Sequence, residues 1–297
     1  MALLLRRTLL TVLLLRFSAS ASPAGDGRFD PSRVVHVSWR PRAYLYKGFL
    51  SEAECDHLVA LATGRLENSM VVDHESGKSV TSKARTSSGM FLAKKQDNVV
   101  ARIEDRIATW TFLPPENGEP MQILRYRNGD KYGAHFDYIR GKNYQALGGH
   151  RIASVLMYLS NVKIGGETIF PNSEATPSQP KDDTWSECAK SGYAVKPVKG
   201  DALLFFSLHP NATTDPASLH GSCPVVEGEK WSATKWIHVR SFDGPQKRRT
   251  PAAECEDEED LCHKWAAVGE CVKNPVYMVG TRDSPGFCRK SCDACTM

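Results

Sequence analysis

The sequence Tyr132-Gly-Ala-His-Phe-Asp-Tyr138 places a histidine, His135, two positions before an aspartate, Asp137. Residues i and i+2 of a β-strand point to the same face, so an extended conformation brings this imidazole and this carboxylate to one point. Phe136 between them then faces away into the packing. The pair offers two ligands to a metal ion; the alternative is a hydrogen-bonded pair on a solvated strand face.

A third ligand has to come from elsewhere in the chain, because two ligands leave a metal ion underbound. His220 is the best candidate, since it lies between a predicted strand that ends near Leu208 and another that begins at Lys230. Two histidines and one carboxylate form the facial triad of non-haem Fe(II) oxygenases, in which open positions receive a cosubstrate and O₂. The sequence therefore predicts an iron site at His135, Asp137 and His220.

Lys230 supports this interpretation because it opens a strand of alternating character. If the strand is unbroken, one face carries Lys230, Ser232, Thr234, Trp236 and His238. A lysine on the inner face of a β-sandwich is costly unless it meets an anion, and a 2-oxo dicarboxylate that chelates the iron would supply one. The alternative is a lysine at the strand mouth, in water.

Short strands separated by turn residues dominate the chain from Met121 onward, including the runs 152–159, 202–208 and 230–240. Two helices are predicted before them. This order predicts an α+β, mainly β fold. We expect a double-stranded β-helix, or jelly roll, backed by the N-terminal helices and followed by a small disulfide-rich module.

The first predicted helix begins at a capping box, Ser51-Glu-Ala-Glu54, and a second amphipathic helix is predicted from Asp97 to Trp110. Cys55 lies in the apolar stripe of the first helix and is expected to be a buried free thiol. Residues 67–88 are polar and predict a long loop, while the Pro- and Ser-rich stretch 171–198 predicts an excursion between strands. The residues predicted to face inward from the first helix are Leu58, Val59, Leu61 and Ala62.

Residues 1–24 have the order of a secretory signal: Arg6 and Arg7, an apolar run from Leu9 to Leu15, and then small residues. The run is short of the roughly 20 residues that a spanning helix needs, so a cleaved signal peptide is the first interpretation. An uncleaved signal anchor is the rival. Residues 25–40 and 244–254 are predicted to be polar linkers.

The formal net charge of +4 is mild, and no basic stripe with interleaved aromatic residues is present, so nucleic-acid binding is not predicted. Six of the nine cysteines lie between Cys255 and Cys295, which indicates a disulfide-built module in an oxidising compartment. A zinc cluster is the alternative. A further disulfide is predicted between Cys188 and Cys223, bracing the Pro- and Ser-rich excursion.

Five longer runs share their order and spacing with one family. They are Arg85-Thr-Ser-Ser-Gly89, Gln122-Ile-Leu-Arg-Tyr126, Tyr132-Gly-Ala-His-Phe-Asp-Tyr138, Gly165-Gly-Glu-Thr-Ile-Phe170, and His220-Gly-Ser-Cys-Pro-Val-Val226 with Lys230-Trp231. From about Val34 to Phe242 the chain resembles the plant-type prolyl 4-hydroxylases. The resemblance implies a dioxygenase domain over residues 41–243 that converts peptidyl proline to 4-hydroxyproline. It also implies Fe(II), 2-oxoglutarate as the cosubstrate that yields succinate and CO₂, and ascorbate.

Carried over by position, the resemblance makes His135, Asp137 and His220 the iron ligands and Lys230 the anchor of 2-oxoglutarate. It implies two further groups of residues. Tyr126, Thr168 and Trp236 would complete the cosubstrate pocket, and Arg85, Tyr132, Arg151 and His238 would line the peptide groove. Read from the residues alone, Tyr126 and Trp236 are equally consistent with plain core aromatics.

Proline-rich chains in the polyproline II conformation bind aromatic-lined grooves, so proline-rich peptides are expected substrates. The resemblance to the plant-type prolyl 4-hydroxylases implies hydroxyproline-rich glycoproteins as substrates. The signal predicts the secretory pathway, in the endoplasmic reticulum or the Golgi. In the endoplasmic reticulum the catalytic domain would be lumenal, and in the anchor alternative the enzyme would be a type II membrane protein. Asn211-Ala-Thr213 is a glycosylation sequon, predicted to be used there.

The C-terminal segment 255–295 resembles the ShKT (sea-anemone-toxin-like) domain, including Phe287-Cys-Arg-Lys-Ser-Cys-Asp-Ala-Cys295. That resemblance implies the pairings Cys255–Cys295, Cys262–Cys288 and Cys271–Cys292. Because all predicted iron and cosubstrate residues precede Arg240, truncation after Asp243 is expected to spare hydroxylation of short peptides.

Three other functions fit parts of the pattern. A different 2-oxoglutarate oxygenase, such as a lysyl hydroxylase, would share the iron site. A jelly roll that binds glycan or peptide around a structural metal would not need Lys230. In the third interpretation the C-terminal segment is the active part, as a channel-blocking or protein-docking module.

Overall fold

The computed structural model describes residues 29–72, 79–80, 82–138, 148–243, 256–280 and 286–295. The predicted signal or anchor, residues 1–24, and the predicted linker 244–254 lie outside these ranges. Within them, no helix combines the length and the apolar character that crossing a bilayer would require.

The described residues form sixteen strands, most of them short. They are β1 Val34–Trp39, β2 Arg42–Tyr46, β3 Glu67–Asn68, β4 Val71–Val72, β5 Ser79–Val80, β6 Ser88–Leu92, β7 Met121–Tyr126, β8 Tyr132–His135, β9 Arg151–Tyr158, β10 Ile164–Gly165, β11 Thr168–Phe170, β12 Tyr193–Val195, β13 Ala202–Phe206, β14 His220–Ser222, β15 Val225–Glu227 and β16 Lys230–His238.

Two antiparallel sheets carry the architecture. The larger sheet has the order β1-β2-β13-β9-β16-β7-β6-β3, and the smaller one has the order β12-β11-β14-β8. Short two-stranded sheets, β10 with β15 and β4 with β5, complete the set among the described residues. The predicted mainly β class is therefore confirmed, and the two sheets are consistent with the expected jelly roll.

The two faces of the larger sheet bury different partners, as β13 illustrates. Leu203 and Phe205 join an apolar cluster with Phe170 and Val195 of the smaller sheet. The alternate residues, Ala202 and Leu204, belong to the main core with the helices. Because successive side chains of a strand point to opposite faces, this continuous apolar run is buried on both sides.

Two helices cover the outer face of the larger sheet. Helix α1 spans Glu52–Ala62, and both hydrogen bonds of the predicted capping box between Ser51 and Glu54 are present. Helix α2 spans Asn98–Thr111, with Asp97 as the N-cap that accepts hydrogen bonds from two backbone amides. Both predicted helices are confirmed, and Cys55 is a buried free thiol as expected.

The C-terminal module contains three short helices, α3 Cys262–Ala267, α4 Glu270–Lys273 and α5 Pro275–Met278. Disulfides join Cys262 to Cys288 and Cys271 to Cys292, so these four cysteines do not form a zinc cluster. Cys295 is also disulfide-bonded. Cys255, its predicted partner, lies outside the described residues.

Two segments differ from the sequence-based expectation. Val34–Trp39, predicted as part of the linker 25–40, is the edge strand β1, because it pairs with β2 and packs Val37 against the inner apolar cluster. The predicted loop 67–88 contains β3 and the β4–β5 pair. These strands are only two residues long, and such short runs leave little periodicity in a polar sequence.

Candidate metal and cosubstrate site

Strand β8 ends at His135, so Asp137 lies in the bend that follows and not in the strand itself. The prediction that one strand carries both residues was wrong, but the two side chains still converge. His220 begins β14 and is the register partner of His135 in the smaller sheet. The two imidazole centroids are 4.4 Å apart. Strand pairing thus supplies the proximity that the sequence could not specify.

The three side chains can converge on one ion. One ligand atom from each of His135, Asp137 and His220 lies within 4.8 Å of the other two. The Nε2 atom of His135 is 3.6 Å from Oδ1 of Asp137, and that of His220 is 3.5 Å from Oδ2. Two imidazoles and one carboxylate on one side of an ion match the facial triad of non-haem iron.

Both imidazoles are held as metal ligands are. Nδ1 of His135 lies 2.9 Å from the carbonyl oxygen of Gly133, and Nδ1 of His220 lies 2.9 Å from that of Ser218. A carbonyl oxygen only accepts, so each Nδ1 carries the proton and donates. Each Nε2 is then the unprotonated nitrogen that binds a metal ion.

The electrostatics of the cluster keep the ligands in their binding forms. Burial, together with the neighbouring His135, lowers the pKa of the His220 imidazole to about 4, so this ring is neutral at physiological pH. Burial alone would raise the pKa of the Asp137 carboxyl, but His220 and His135 outweigh it and hold that pKa below its ordinary value. The fit to a divalent cation is good.

Lys230 is buried, with only 1% of its surface exposed, which excludes the alternative of a lysine in water. It begins β16 opposite Tyr126, the last residue of β7. Its Nζ donates to the carbonyl oxygen of Gly166 at 2.7 Å and to Oγ of Ser222 at 3.0 Å. Burial lowers the pKa of the Lys230 ammonium to about 7, while the nearby Glu167 acts in the opposite direction.

The triad and Lys230 line one pocket with an empty volume of about 460 Å³, including its open mouth. The predicted alternation of β16 is confirmed for Lys230, Ser232, Thr234 and Trp236, which all face this pocket. The register shifts between Ile237 and His238, and His238 contacts Gly149 and Glu119 beside the pocket. Tyr126 and Thr168 also line it. Within the described part of the chain, the buried indole N–H of Trp236 has no hydrogen-bond partner, so it can donate to a ligand.

The predicted groove residues fall into two groups beside the triad. Arg85 donates to Oε1 of Gln122 at 2.9 Å and lies over the ring of Tyr132, which in turn stacks on His135 at 3.7 Å. Arg151 lies over the ring of Trp236, with its guanidinium carbon 4.1 Å from the centroid.

Glu119, which the sequence interpretation missed, ties the second group together. Its carboxylate accepts from Arg151 at 2.5 and 3.0 Å and contacts Nε2 of His238 at 2.8 Å. Ser154 was missed too: its hydroxyl donates to Oδ2 of Asp137 at 2.5 Å. Ser154 is the single serine in the apolar run 152–159, and a lone polar residue in such a run could have indicated a functional contact. No sequence signal indicated Glu119, which lies in the connection just before β7.

The disulfide between Cys188 and Cys223 is present and adjoins the cosubstrate side of the pocket. Cys223 follows Ser222, which accepts from Lys230. Near the other cysteine, Ser186 donates through its backbone and its hydroxyl to the buried Glu167 carboxylate. The excursion 171–198 is thereby fastened beside Lys230.

The fold and the site together define a non-haem iron oxygenase that uses a 2-oxo acid. Residues 121–238 match the family model described as the 2OG-Fe(II) oxygenase superfamily, a range that contains the triad and Lys230. The chain belongs to the prolyl 4-hydroxylase family.

Two relatives from Arabidopsis thaliana establish this membership. The chain is 61% identical to "Probable prolyl 4-hydroxylase 7" over 282 residues, which cover 95% of this chain and 87% of the relative. It is 65% identical to "Probable prolyl 4-hydroxylase 6" over 267 residues, covering 90% and 91%. A solved viral collagen prolyl hydroxylase from Paramecium bursaria Chlorella virus-1 superposes with a TM-score of 0.49 at 24% identity, over 66% of this chain and 94% of that chain.

Proposed function

We propose that this protein is a prolyl 4-hydroxylase that converts peptidyl proline to 4-hydroxyproline in proline-rich proteins of the secretory pathway. The reaction consumes O₂ and 2-oxoglutarate and yields succinate and CO₂. One observation carries this assignment: the His135, Asp137 and His220 triad shares a pocket with a buried, desolvated lysine, Lys230. A double-stranded β-helix is the proposed description of the two packed sheets.

His135, Asp137 and His220 would hold Fe(II) through Nε2, a carboxylate oxygen and Nε2. When bound, Fe(II) supplies the redox chemistry by which O₂ decarboxylates 2-oxoglutarate to succinate and CO₂ and hydroxylates the proline ring. The residues of the chain orient the reactants and keep water out. Ascorbate is the proposed reductant that returns oxidised iron to Fe(II).

Lys230 is the proposed anchor for the far carboxylate of 2-oxoglutarate. Its ammonium has three donors, and Gly166 and Ser222 use two of them, which leaves one for the ligand. Thr168 and Tyr126 would wall the same end. The Trp236 indole N–H, which has no partner among the described residues, would donate to a ligand oxygen. An ion pair formed in this buried setting would be stronger than one in water.

The peptide substrate is proposed to enter beside Tyr132, whose ring stacks on His135 and so borders the triad. Arg85 lies over the same ring, and Arg151 is proposed to border the peptide from the opposite wall. The buried His238 would support that wall through Glu119, to which both it and Arg151 bond. Aromatic walls suit a polyproline II chain, because its pyrrolidine rings are apolar and its conformation is preorganised. Hydroxyproline-rich glycoproteins are the proposed natural substrates.

The proposed setting is the lumen of the endoplasmic reticulum or the Golgi, with residues 1–24 as a signal peptide or a type II membrane anchor. The disulfides of the described residues suit this oxidising compartment. Asn211 is exposed in the turn after β13, where a glycosylating enzyme could reach it. The C-terminal module is proposed to be an ShKT domain closed by a third disulfide, Cys255–Cys295.

A product assay tests the function directly. Purified protein would be incubated with Fe(II), 2-oxoglutarate, ascorbate and poly-proline, and 4-hydroxyproline and succinate would be quantified. We expect both products in equal amounts. A lysine-containing peptide serves as the second substrate, and hydroxylysine without hydroxyproline would identify a lysyl hydroxylase instead. Peptide binding without succinate would indicate a non-catalytic binding domain.

Single substitutions then test the triad. His135→Ala, Asp137→Ala and His220→Ala should each abolish turnover while the protein stays folded, because each removes one of three ligands. His209→Ala is the matched control, since His209 pairs with Asp215 away from the pocket. Normal turnover in His220→Ala, with loss in His209→Ala, would refute the assignment.

A further inference from the structure

Ser154 is a polar residue in the middle of a buried strand. It lies in β9 between Phe205 of β13 and Trp236 of β16, which are its register partners on either side. None of its surface is exposed. Its neighbours Ala153 and Val155 belong to the main core on the helix side of the sheet, so Ser154 faces inward, toward the pocket.

The Ser154 hydroxyl donates to Oδ2 of Asp137 at 2.5 Å. Burying a hydroxyl costs free energy unless it is hydrogen-bonded, and a bond to an ionised carboxylate is about twice as strong as a bond between neutral groups. The contact therefore both satisfies the serine and fixes the rotation of the carboxylate. A carboxylate next to two histidines needs such a constraint to present one defined oxygen.

Other groups close to Asp137 are committed elsewhere. Arg151 favours the charged form of the carboxyl, but its guanidinium is bonded twice to Glu119. The two imidazoles approach Asp137 through Nε2, the nitrogens that face the metal position. Both carboxylate oxygens border the metal position, and Oδ2 is the one that Ser154 holds.

We propose that Ser154 is a positioning residue for the metal, which holds Oδ2 of Asp137 and so fixes the orientation in which the carboxylate meets Fe(II). The proposal rests on the proposed function for the identity of the ion. The serine touches no reacting atom and acts through the aspartate. Partners of this kind orient metal ligands, and their loss typically lowers metal affinity by about 10- to 100-fold.

Two isosteric variants isolate the hydroxyl. Ser154→Thr and Ser154→Val have the same shape, both suit a β-strand, and they differ only in whether a hydroxyl is present. Titration of the metal-free protein with Fe(II) under anaerobic conditions gives the dissociation constant. We expect Ser154→Thr to stay near the wild-type value and Ser154→Val to bind Fe(II) about 10- to 100-fold more weakly. Equal affinities in the two variants would overturn the proposal.

Stability and control variants separate positioning from folding. Thermal unfolding of the metal-free proteins shows whether Ser154→Val and Ser154→Thr both fold, and Ser154→Val is expected to be the less stable because it leaves Oδ2 of the buried Asp137 without the hydroxyl. If neither folds, Ser154→Ala replaces Ser154→Val in comparison with the wild type, because it removes the hydroxyl without adding bulk. Ser207→Ala is the matched control, since Ser207 is fully buried and its hydroxyl has no partner in the described chain. A similar loss of Fe(II) affinity in Ser207→Ala would also refute the proposal.

The outcome is distinguishable from a failure of the proposed function. If the wild-type protein binds Fe(II) and hydroxylates proline, but Ser154→Val and Ser154→Thr bind Fe(II) with equal affinity, only the proposed role of Ser154 is refuted. If the wild-type protein fails to bind Fe(II) or to consume 2-oxoglutarate, the proposed function itself is refuted, and with it the role of Ser154.

Discussion

The two histidines of the triad are fixed by the same local device. Each donates its Nδ1 proton to the carbonyl oxygen two residues earlier in the chain, Gly133 for His135 and Ser218 for His220. These hydrogen bonds to the backbone need no additional side chain, and they leave both Nε2 atoms for the metal. Phe170 and Phe205 surround His220 on its other sides, with ring centroids 6.0 and 4.5 Å away. Chemistry at this site therefore depends on backbone geometry as well as on the ligands.

Lys230 gives a prediction for pH. Its pKa of about 7, lowered by burial, means that the ammonium is lost as the pH rises through neutrality in the free enzyme. In the proposed function the carboxylate of 2-oxoglutarate pairs with this ammonium, so kcat/KM for 2-oxoglutarate should fall as the pH rises above about 7. Lys230→Arg keeps its charge and should show a flatter profile. Tyr126 and Tyr158 also face this group, but burial raises the pKa of both hydroxyls.

The same residue predicts an affinity change. Lys230→Ala leaves the cosubstrate carboxylate buried without a partner, which typically costs about 2–5 kcal/mol. The measurement is the KM for 2-oxoglutarate at fixed Fe(II) and peptide. An unchanged KM in Lys230→Ala would contradict the anchor role, and a flat wild-type pH profile would contradict the titration.

Strand β16 and helix α2 are joined by an ion pair between elements. Nζ of Lys235 lies 2.5 Å from Oε1 of Glu104, and the two side chains are only 2% and 3% exposed. Lys235 is on the face of β16 opposite Lys230. The two buried lysines of this strand therefore have different partners. The second Glu104 oxygen accepts from the backbone of Lys95.

Breaking this pair should destabilise the fold, because either partner alone is an uncompensated buried charge. Lys235→Ala or Glu104→Ala should lower the free energy of unfolding by about 3–5 kcal/mol. The double variant Lys235→Met/Glu104→Met should lose much less. Lys163→Ala is the control, because its pair with Glu227 is 70% and 48% exposed and exposed pairs are worth about 0–1 kcal/mol. Urea unfolding measures all four, and equal losses in the buried and exposed pairs would contradict the argument.

At the scale of the molecule, the C-terminal module packs on the catalytic part. Tyr277, Met278 and Phe287 of the module belong to the same apolar cluster as the main core. The triad and Lys230 nevertheless lie entirely before the module. Truncation after Asp243 should therefore keep hydroxylation of short proline peptides while lowering the unfolding temperature. Loss of activity in a truncated protein that is still folded would mean that the module forms part of the site.

A pair of carboxyl groups links the module to the catalytic part. Glu259 hydrogen-bonds to Glu116 near Tyr277 and Asp260, and burial together with Glu116 raises the pKa of Glu259 to about 7. Lys94 bonds to the Glu116 carbonyl and to Asp243, so it does not neutralise the pair.

A raised acid pKa contributes stability that is fully present below the ordinary value and is lost as the pH rises through about 7. The unfolding temperature should thus fall as the pH rises from about 4.5 to about 7 and level off above that range. Glu259→Gln, which carries no charge, should reduce that fall. Glu256→Gln changes an exposed acid on the same segment and is the control. The same pH dependence in wild type and Glu259→Gln would exclude a role for the pair.

Local pattern determined much of this protein. The capping box at Ser51 and Glu54 marks the start of α1, and the alternation along β16 separates Lys230 and Trp236 from Lys235. Such features depend on a few neighbouring residues, since helix capping and strand alternation act over two to four positions. The family motifs added the triad, Lys230 and Thr168 to the residues that the sequence predicts for the site.

Tertiary structure alone decided how distant residues meet. The pairing of His220 with His135 is a register between strands, and Asp137 reaches the same point from a bend that no periodicity indicates. The bond from Ser154 to Asp137 and the bridge that Glu119 makes between Arg151 and His238 likewise join separate elements. A sequence records which side chains a strand can present to one face. Which strands lie side by side, and in which register, follows from burying all faces at once, so the completed site exists only in the folded chain.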